Sequence, residues 1–271
     1  MKRILIIMVA LLLVASVANA QQASDLRVAD LVRAGKIRGA LFLPQYTADP
    51  ATGELRGAAG GIVMSALARA LAARVGVEVV LVGHPTPVDA MKCLKVGACD
   101  VVLGMGIDPT RATEIDFSPP YMQLDFTYLV PPGSSIGSAD QADRPGVRIA
   151  AVRNHASTLG LSTMLKHATV VYAETPDAAF DILSGGHADA LAQARPVLLD
   201  YSTALHGSRV LQDSYGAYLL AMAVPKGQSG RLGYITEFIE EAKASGLVQR
   251  AIDHALLRGV QVPPSRNPRV R

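Results

Sequence analysis

Gly104–Tyr121, GMGIDPTRATEIDFSPPY, contains the residue best suited to hold a charged solute. Asp108 followed by Pro109 reads as an N-cap and first helical residue, so Arg111 falls in the first turn, where the helix dipole opposes a cation. Pairing with Glu114 or Asp108 would offset that penalty by only ~0.2–0.5 kcal/mol. An external carboxylate supplies a stronger reason. Free amides at a helix start and a planar guanidinium both favour an anion, and a carboxylate accepts two parallel hydrogen bonds from arginine. Gly104 and Gly106, lacking a Cβ, would let such a ligand approach the backbone closely.

Other reactive residue types carry less. His155, in AVRNHAST, follows an apolar strand and opens a helix, where side chains and amides of an α/β protein face a crevice; a simple cap is the competing reading. The histidines at 84, 155, 167, 187, 206 and 254 show no H-E-x-x-H or other close ligand spacing, so no metal site is expected. GSSIG at 133–137 fits G-x-S-x-G, yet no helix opens on Ser135, and a loop is expected there. GAAGG at 57–61 lacks the Gly-Lys-Ser/Thr ending of a phosphate loop, and no cofactor is expected. No carboxylate stands where an acid-catalytic role can be assigned, so the chain reads as a binder rather than an enzyme. Cys93 and Cys99 are the only cysteines. In an exported chain they suit a local disulfide across a helix end, worth ~2 kcal/mol, whereas two thiols without partner ligands do not complete a tetrahedral metal shell.

The elements that must position these residues follow a repeated plan. VVLVGHPTPVDAMKCLKVGACDVVLG (79–104) and TVVYAETPDAAFDILSGGHADALAQ (169–193) each read as strand, Thr-Pro, amphipathic helix, glycine, aspartate, strand. Thr86 and Thr175 serve as N-caps, Pro87 and Pro176 take the first helical position, and Gly97 and Gly186 stop the helices. Continuous apolar strands alternating with helices indicate α/β architecture with parallel sheets covered on both faces. Met122–Val130 and 217–227 read as the strands that pass between two similar lobes. RLGYITEFIEEAKASGLVQRAIDHALLRG reads as two helices broken at Gly246.

The termini set the compartment. Lys2 and Arg3, an apolar run over 4–15 and Ala18-Asn19-Ala20 form an export leader cut after Ala20; the run is too short to span a bilayer. Without Lys2 and Arg3, 24 basic residues face 23 acidic ones. That balance gives no support to nucleic-acid binding. The expected divisions are 1–20 leader, 21–128 first lobe, 129–218 second lobe, 219–260 return to the first lobe, and 261–271 a basic tail without a core to join.

With these segments in view, the chain resembles the bacterial family 3 extracellular solute-binding proteins, the polar-amino-acid type of ABC-transporter component. GKIRGALFLPQY, GELRG, LARALAARVGVEV, LKVGACDVVLGMGIDPTRATEIDFSPPY, PKGQ and EEAKASGLV carry the likeness. The resemblance implies a type II periplasmic binding protein fold, two α/β lobes joined by two hinge strands, closing on a ligand. It implies that Arg111, in DPTRA, holds a ligand carboxylate, that Phe42 and Tyr46 wall the ligand, and that Ser157 and Thr158 in RNHAST donate to it beside Arg153 and His155. Two positions depart from amino-acid binders: Gly106 replaces a hydroxyl, and Ala194 falls about where an aspartate would meet an α-amine. Gln193 and Arg195 flank that position. Arg111 with Arg153, His155 or Arg195 then suits an anion, with one or two acidic groups, delivered by a monomeric periplasmic protein to an inner-membrane ABC permease. A ligand-binding sensor and an exported enzyme resembling cyclohexadienyl dehydratase are the alternatives.

Overall fold

A computed structural model of the chain describes residues 27–29, 31, 35–153 and 155–266. The expected leader, and 267–271 of the expected tail, lie outside them. The described chain divides into two compact units.

Unit 1 runs to Tyr121 and resumes at Leu220–Ala255 and from Pro264. Its first stretch holds β1 (Lys36–Phe42), β2 (Tyr46–Ala48), β3 (Leu55–Gly57), α1 (Gly60–Val75), β4 (Glu78–His84), α2 (Pro87–Lys95), β5 (Val101–Gly106) and β6 (Ile115–Phe117). β1 pairs in parallel with β4 and with β5, giving the order β4-β1-β5. β5 is buried at every position, as a parallel strand covered on both faces should be. One core joins Phe42, Met91, Leu94, Val102, Met105 and Ile115 with the disulfide between Cys93 and Cys99.

Unit 2 comprises Met122–Leu219 and Leu256–Pro263. It contains β7 (Met122–Val130), β8 (Arg148–Val152), the short α3 (Ala156–Leu159) and α4 (Leu161–Met164), β9 (Thr169–Ala173), α5 (Pro176–Ser184), β10 (Ala190–Ala194), α6 (Arg195–Ala204) and β11 (Arg209–Val210). β8 pairs in parallel with β9 and β10, so the order β9-β8-β10 repeats that of unit 1, and β7 lies antiparallel to β10. No helix opens on Ser135, which lies in an irregular segment between β7 and β8.

β12 (Gly216–Pro225) carries the chain from unit 2 into unit 1, where Leu220, Ala221 and Ala223 pair with β5. α7 (Ser229–Ala244) and α8 (Leu247–His254) follow, separated by Gly246 at φ 73°. β13 (Val260–Gln261) then returns to unit 2 and pairs with Leu124 and Gln123 of β7. This corrects two expectations. The second lobe begins at Met122, with β7 wholly inside it, and 261–266 is not a tail without a core: Gln261 is in a strand, Ser265 donates to the Glu240 carboxylate at 2.7 Å, and Lys243 donates to the Pro264 carbonyl at 3.1 Å.

The repeated sequence plan becomes repeated geometry. Thr86 Oγ1 accepts from Asp89 N and Thr175 Oγ1 from Ala178 N, each at 3.2 Å, and Gly97 and Gly186 take φ 68° and 75° to end the helices. The aspartate that closes each plan receives a fork from the first strand of its unit. Asp100 accepts from Arg38 N, Nε and Nη2 at 2.8, 3.0 and 2.7 Å; Asp189 accepts from the same atoms of Arg148 at 2.8, 3.2 and 3.0 Å. The Arg148 fork holds the Asp189 carboxyl below its usual range.

Candidate functional site

The candidate residues fall into two groups, one on each unit. On unit 1, β5 ends at Gly106 and Asp108 turns the chain, its Oδ1 accepting from Thr110 N at 2.9 Å and Arg111 N at 3.1 Å. The expected helix does not follow. Arg111–Thr113 is a single 3-10 turn, because Ile115 must enter β6 and pair with Pro225 of β12. The dipole opposing Arg111 is therefore that of one short turn, and its penalty is slight.

The turn is held from below by Lys226, which donates to the Ala112 carbonyl at 2.7 Å and pairs with Asp116 at 2.8 Å. The Lys226 bond holds the Asp116 carboxyl below its usual range. Neither residue was a sequence candidate; Lys226 in PKGQ is separated from the turn by the Met122–Leu219 segment of unit 2. The Arg111 guanidinium donates through Nη1 to the Gly106 carbonyl at 3.1 Å. Glu114, one proposed partner, pairs with Lys95, and Asp108 is spent on backbone amides. Among the described residues Arg111 has no carboxylate partner, while it lines a hollow of about 260 Å³ with Met91, Lys92, Lys95 and Glu114.

Three unit 1 expectations change. Phe42, 8% exposed, belongs to the core with Met91 and Leu94. Gly104 makes room for α1 rather than for a solute: a Cβ there would stand 2.2 Å from Met64 Cε. Tyr46 packs its ring on β4 at Gly83, where a Cβ would stand 2.7 Å from Cζ, and remains half-buried. Between them sits a residue the sequence did not single out. Gln45 donates through Nε2 to the Gly104 carbonyl at 2.8 Å and accepts from Phe42 N at 3.2 Å, tying the loop after β1 to the end of β5.

On unit 2, α3 and the end of β10 bring His155, Ser157 and Gln193 together. Gln193 Oε1 accepts from Ala194 N at 2.9 Å and from Ser157 Oγ at 3.0 Å, which fixes the amide orientation. Its Nε2 therefore faces His155 Nδ1 at 3.2 Å as donor, so Nδ1 accepts and the exposed imidazole presents Nε2–H outward. Tyr215, another residue the sequence did not flag, donates to the Ser157 carbonyl at 2.8 Å and packs against the Tyr128 ring at a 36° tilt. Thr158 is buried, and its Oγ1 has no hydrogen-bond partner among the described residues.

The two unit 2 arginines are engaged elsewhere, contrary to expectation. Arg195 donates to the Leu211 carbonyl at 2.7 Å and the Gln212 carbonyl at 2.8 Å and pairs with buried Asp125 at 3.6 Å, fastening α6 to the chain before β12. Arg153 pairs with Glu174 at 3.0 Å and lies over the Tyr172 ring at 4.8 Å. Ala194 ends β10 and brings no polar side chain.

Known proteins resemble the chain in sequence and in fold. The model of the bacterial extracellular solute-binding proteins, family 3, matches residues 44–256. The ABC transporter glutamine-binding protein GlnH of Bacillus subtilis (strain 168) is 28% identical over 151 residues, 54% of this chain and 53% of that protein. The virulence sensor protein BvgS of Bordetella bronchiseptica is 27% identical over 135 residues, half of this chain and 11% of the sensor. The chain thus matches about half the length of the first relative and a small part of the second. Among solved structures, the ancestral amino acid-binding protein AncCDT-1, a precursor of cyclohexadienyl dehydratase, is 27% identical with a TM-score of 0.57, covering 84% of this chain and 97% of that one. A putative ABC-transporter binding component from Wolinella succinogenes, complexed with lysine, shares the fold at 23% identity and a TM-score of 0.59, covering 81% of this chain and 95% of that one. No helix among the described residues is long and apolar enough to cross a membrane. The chain belongs to the bacterial extracellular solute-binding proteins, family 3, and has their type II periplasmic binding protein fold of two α/β lobes.

Proposed function

We propose that the protein is the exported, periplasmic binding component of an ABC importer, and that it captures a small solute through one carboxylate. The observation that carries this reading is Arg111: a half-buried guanidinium held on a rigid turn, bonded to a carbonyl and lacking a carboxylate partner. On unit 2, the exposed His155 Nε2–H supplies a further donor. Binding shifts the protein toward a ligand-stabilised state, which the permease then reads. None of the proposed contact residues is a carboxylate, so an α-ammonium would lack an ionic partner, and a non-amino organic acid fits better than a free amino acid. With Arg153 and Arg195 engaged elsewhere, a second acidic group has no obvious cation.

Calorimetry of the mature chain against monocarboxylates, dicarboxylates and amino acids tests the reading. The ligand found should bind Arg111→Ala about 10- to 150-fold more weakly, the range for losing a charged hydrogen-bonded contact. Unchanged affinity in Arg111→Ala would remove the anchor, and preference for an amino acid over its deaminated analogue would restore the α-amine. The Bordetella sensor favours a second reading, ligand detection without transport, which loss of solute uptake on deletion of the gene would exclude. The dehydratase precursor favours a third, elimination on the same scaffold, which turnover of prephenate or arogenate would establish.

A further inference from the structure

We propose that His84, Cys93 and Cys99 form a redox-gated site for a soft or borderline metal ion, zinc(II) or copper(I), opened when a dithiol reductant cleaves the Cys93–Cys99 bond. The sequence offers two thiols and no third ligand nearby; the fold provides one. His84 ends β4, which is paired along its length with β1, and its carbonyl accepts from Leu43 N at 3.1 Å. Cys93 lies on α2, and Cys99 follows the Gly97 turn, with its amide bonded back to the Cys93 carbonyl at 3.3 Å. His84 Nε2 is 3.5 Å from Cys99 Sγ, and one ligand atom from each of the three residues lies within 4.8 Å of the others.

Ligand-to-ligand spacing makes the geometry specific. With metal–sulfur and metal–nitrogen distances of about 2.3 and 2.0–2.1 Å, a tetrahedral ion holds its nitrogen and sulfur ligands about 3.5 Å apart and two sulfurs about 3.8 Å apart. The first separation is already present. The second lies within reach of side-chain rotation, because the two cysteine Cα atoms are 5.3 Å apart. Both cysteines are buried whereas His84 is only partly so, leaving the imidazole side open to a fourth ligand from solvent.

The chemistry balances. Two electrons and two protons pass from the reductant, whose own thiols become a disulfide, and the Cys93–Cys99 bond becomes two thiols. Metal entry displaces both thiol protons, and the ion takes two thiolate electron pairs and the Nε2 lone pair of a neutral imidazole. Exchange with an oxidised dithiol, whose disulfide takes up the two electrons and two protons to become two thiols, restores the Cys93–Cys99 bond and releases the ion.

The purified full chain, reduced with a phosphine and freed of it anaerobically, should show thiolate-to-metal charge-transfer absorption on adding one equivalent of cobalt(II), bleached by zinc(II). The oxidised chain should show none. His84→Ala leaves the disulfide intact and should weaken zinc binding by about tenfold or more once reduced; His84→Asn serves the same purpose if alanine disturbs β4. Zinc affinity of both variants within about twofold of wild type overturns the three-ligand site. So does cobalt uptake without a thiolate band, or loss of the far-ultraviolet dichroism on reduction, because only the folded β4–α2 junction assembles the triad.

Discussion

The twin arginine–aspartate forks let burial be tested inside one molecule. Asp100→Ala and Asp189→Ala each remove three hydrogen bonds of matching pattern, one to a backbone amide and two to a guanidinium. Their surroundings differ. The Asp100 side chain is 5% exposed and its Arg38 partner 26%, whereas Asp189 and Arg148 are 39% and 44% exposed. At the exposed fork the ion pair contributes ~0.2–1 kcal/mol and the backbone bond ~0.5–1.5 kcal/mol, because water replaces what is lost. Asp189→Ala should therefore cost about 1–2 kcal/mol. At the buried fork the substitution strands a cation and an amide away from water, a loss of about 3–5 kcal/mol; partial access to Arg38 favours the lower end. Asp100→Ala should cost about 3 kcal/mol. Urea unfolding followed by circular dichroism gives both numbers, with hydrogen exchange of the β5 and β10 amides assigning each loss to its unit. The Arg38→Ala/Asp100→Ala double variant should recover part of the Asp100→Ala cost, since it removes the stranded charge. Equal costs at the two forks, or a larger one at Asp189, would refute the claim that desolvation decides the energetics.

Other outcomes follow from the same geometry. Gly61→Ala should destabilise by about 3 kcal/mol or more, because its Cβ would stand 1.7 Å from the Gln45 carbonyl oxygen; Gly233→Ala, within α7 and with open space, should stabilise by ~0.5–1 kcal/mol in the same urea titration. Thr175→Ala should cost ~1 kcal/mol through the lost cap on α5, with Thr175→Ser restoring most of it in thermal melts. Stability should fall in acid: the Arg148 fork depresses the Asp189 carboxyl, so its contribution is complete above the unfolded value near pH ~4 and disappears as pH drops through the lower folded value. The stability gap between wild type and Asp189→Asn should accordingly narrow below pH ~4, and a gap constant with pH would separate the fork from acid lability.

The elements were legible because their punctuation is local. Thr-Pro, glycine and aspartate mark cap, stop and return within a few residues, and each acts through bonds that short spacing permits. What the aspartates are for was not legible. Their partners lie 62 and 41 positions away, and no local pattern announces Arg38 or Arg148. Phe42 shows the opposite limit: a strand buried on both faces shows no alternation to separate a core ring from a ligand wall. Gly104 belongs with it, since its bareness answers Met64 on a helix forty positions earlier in the chain.

The site itself was sharpened by subtraction. Sequence offered Arg111, Arg153, His155 and Arg195 as groups that could meet an anion, enough for a solute with two acidic groups. A cation already bonded to acceptors cannot also neutralise a ligand without giving them up, and a buried acceptor so abandoned loses ~1–3 kcal/mol. Releasing Arg195 would abandon Asp125 and three backbone carbonyls, so it is held to the scaffold. Arg153 would give up only an exposed carboxylate and a ring face, a smaller loss, but its charge is directed along β9 toward Glu174. His155 is held by Gln193 as a hydrogen-bond donor rather than recruited for charge. Arg111 stands apart because its one side-chain bond, to Gly106, leaves most of the guanidinium fork unused. A guanidinium has five N–H groups; one fixes its direction, and the others suffice for a bidentate carboxylate.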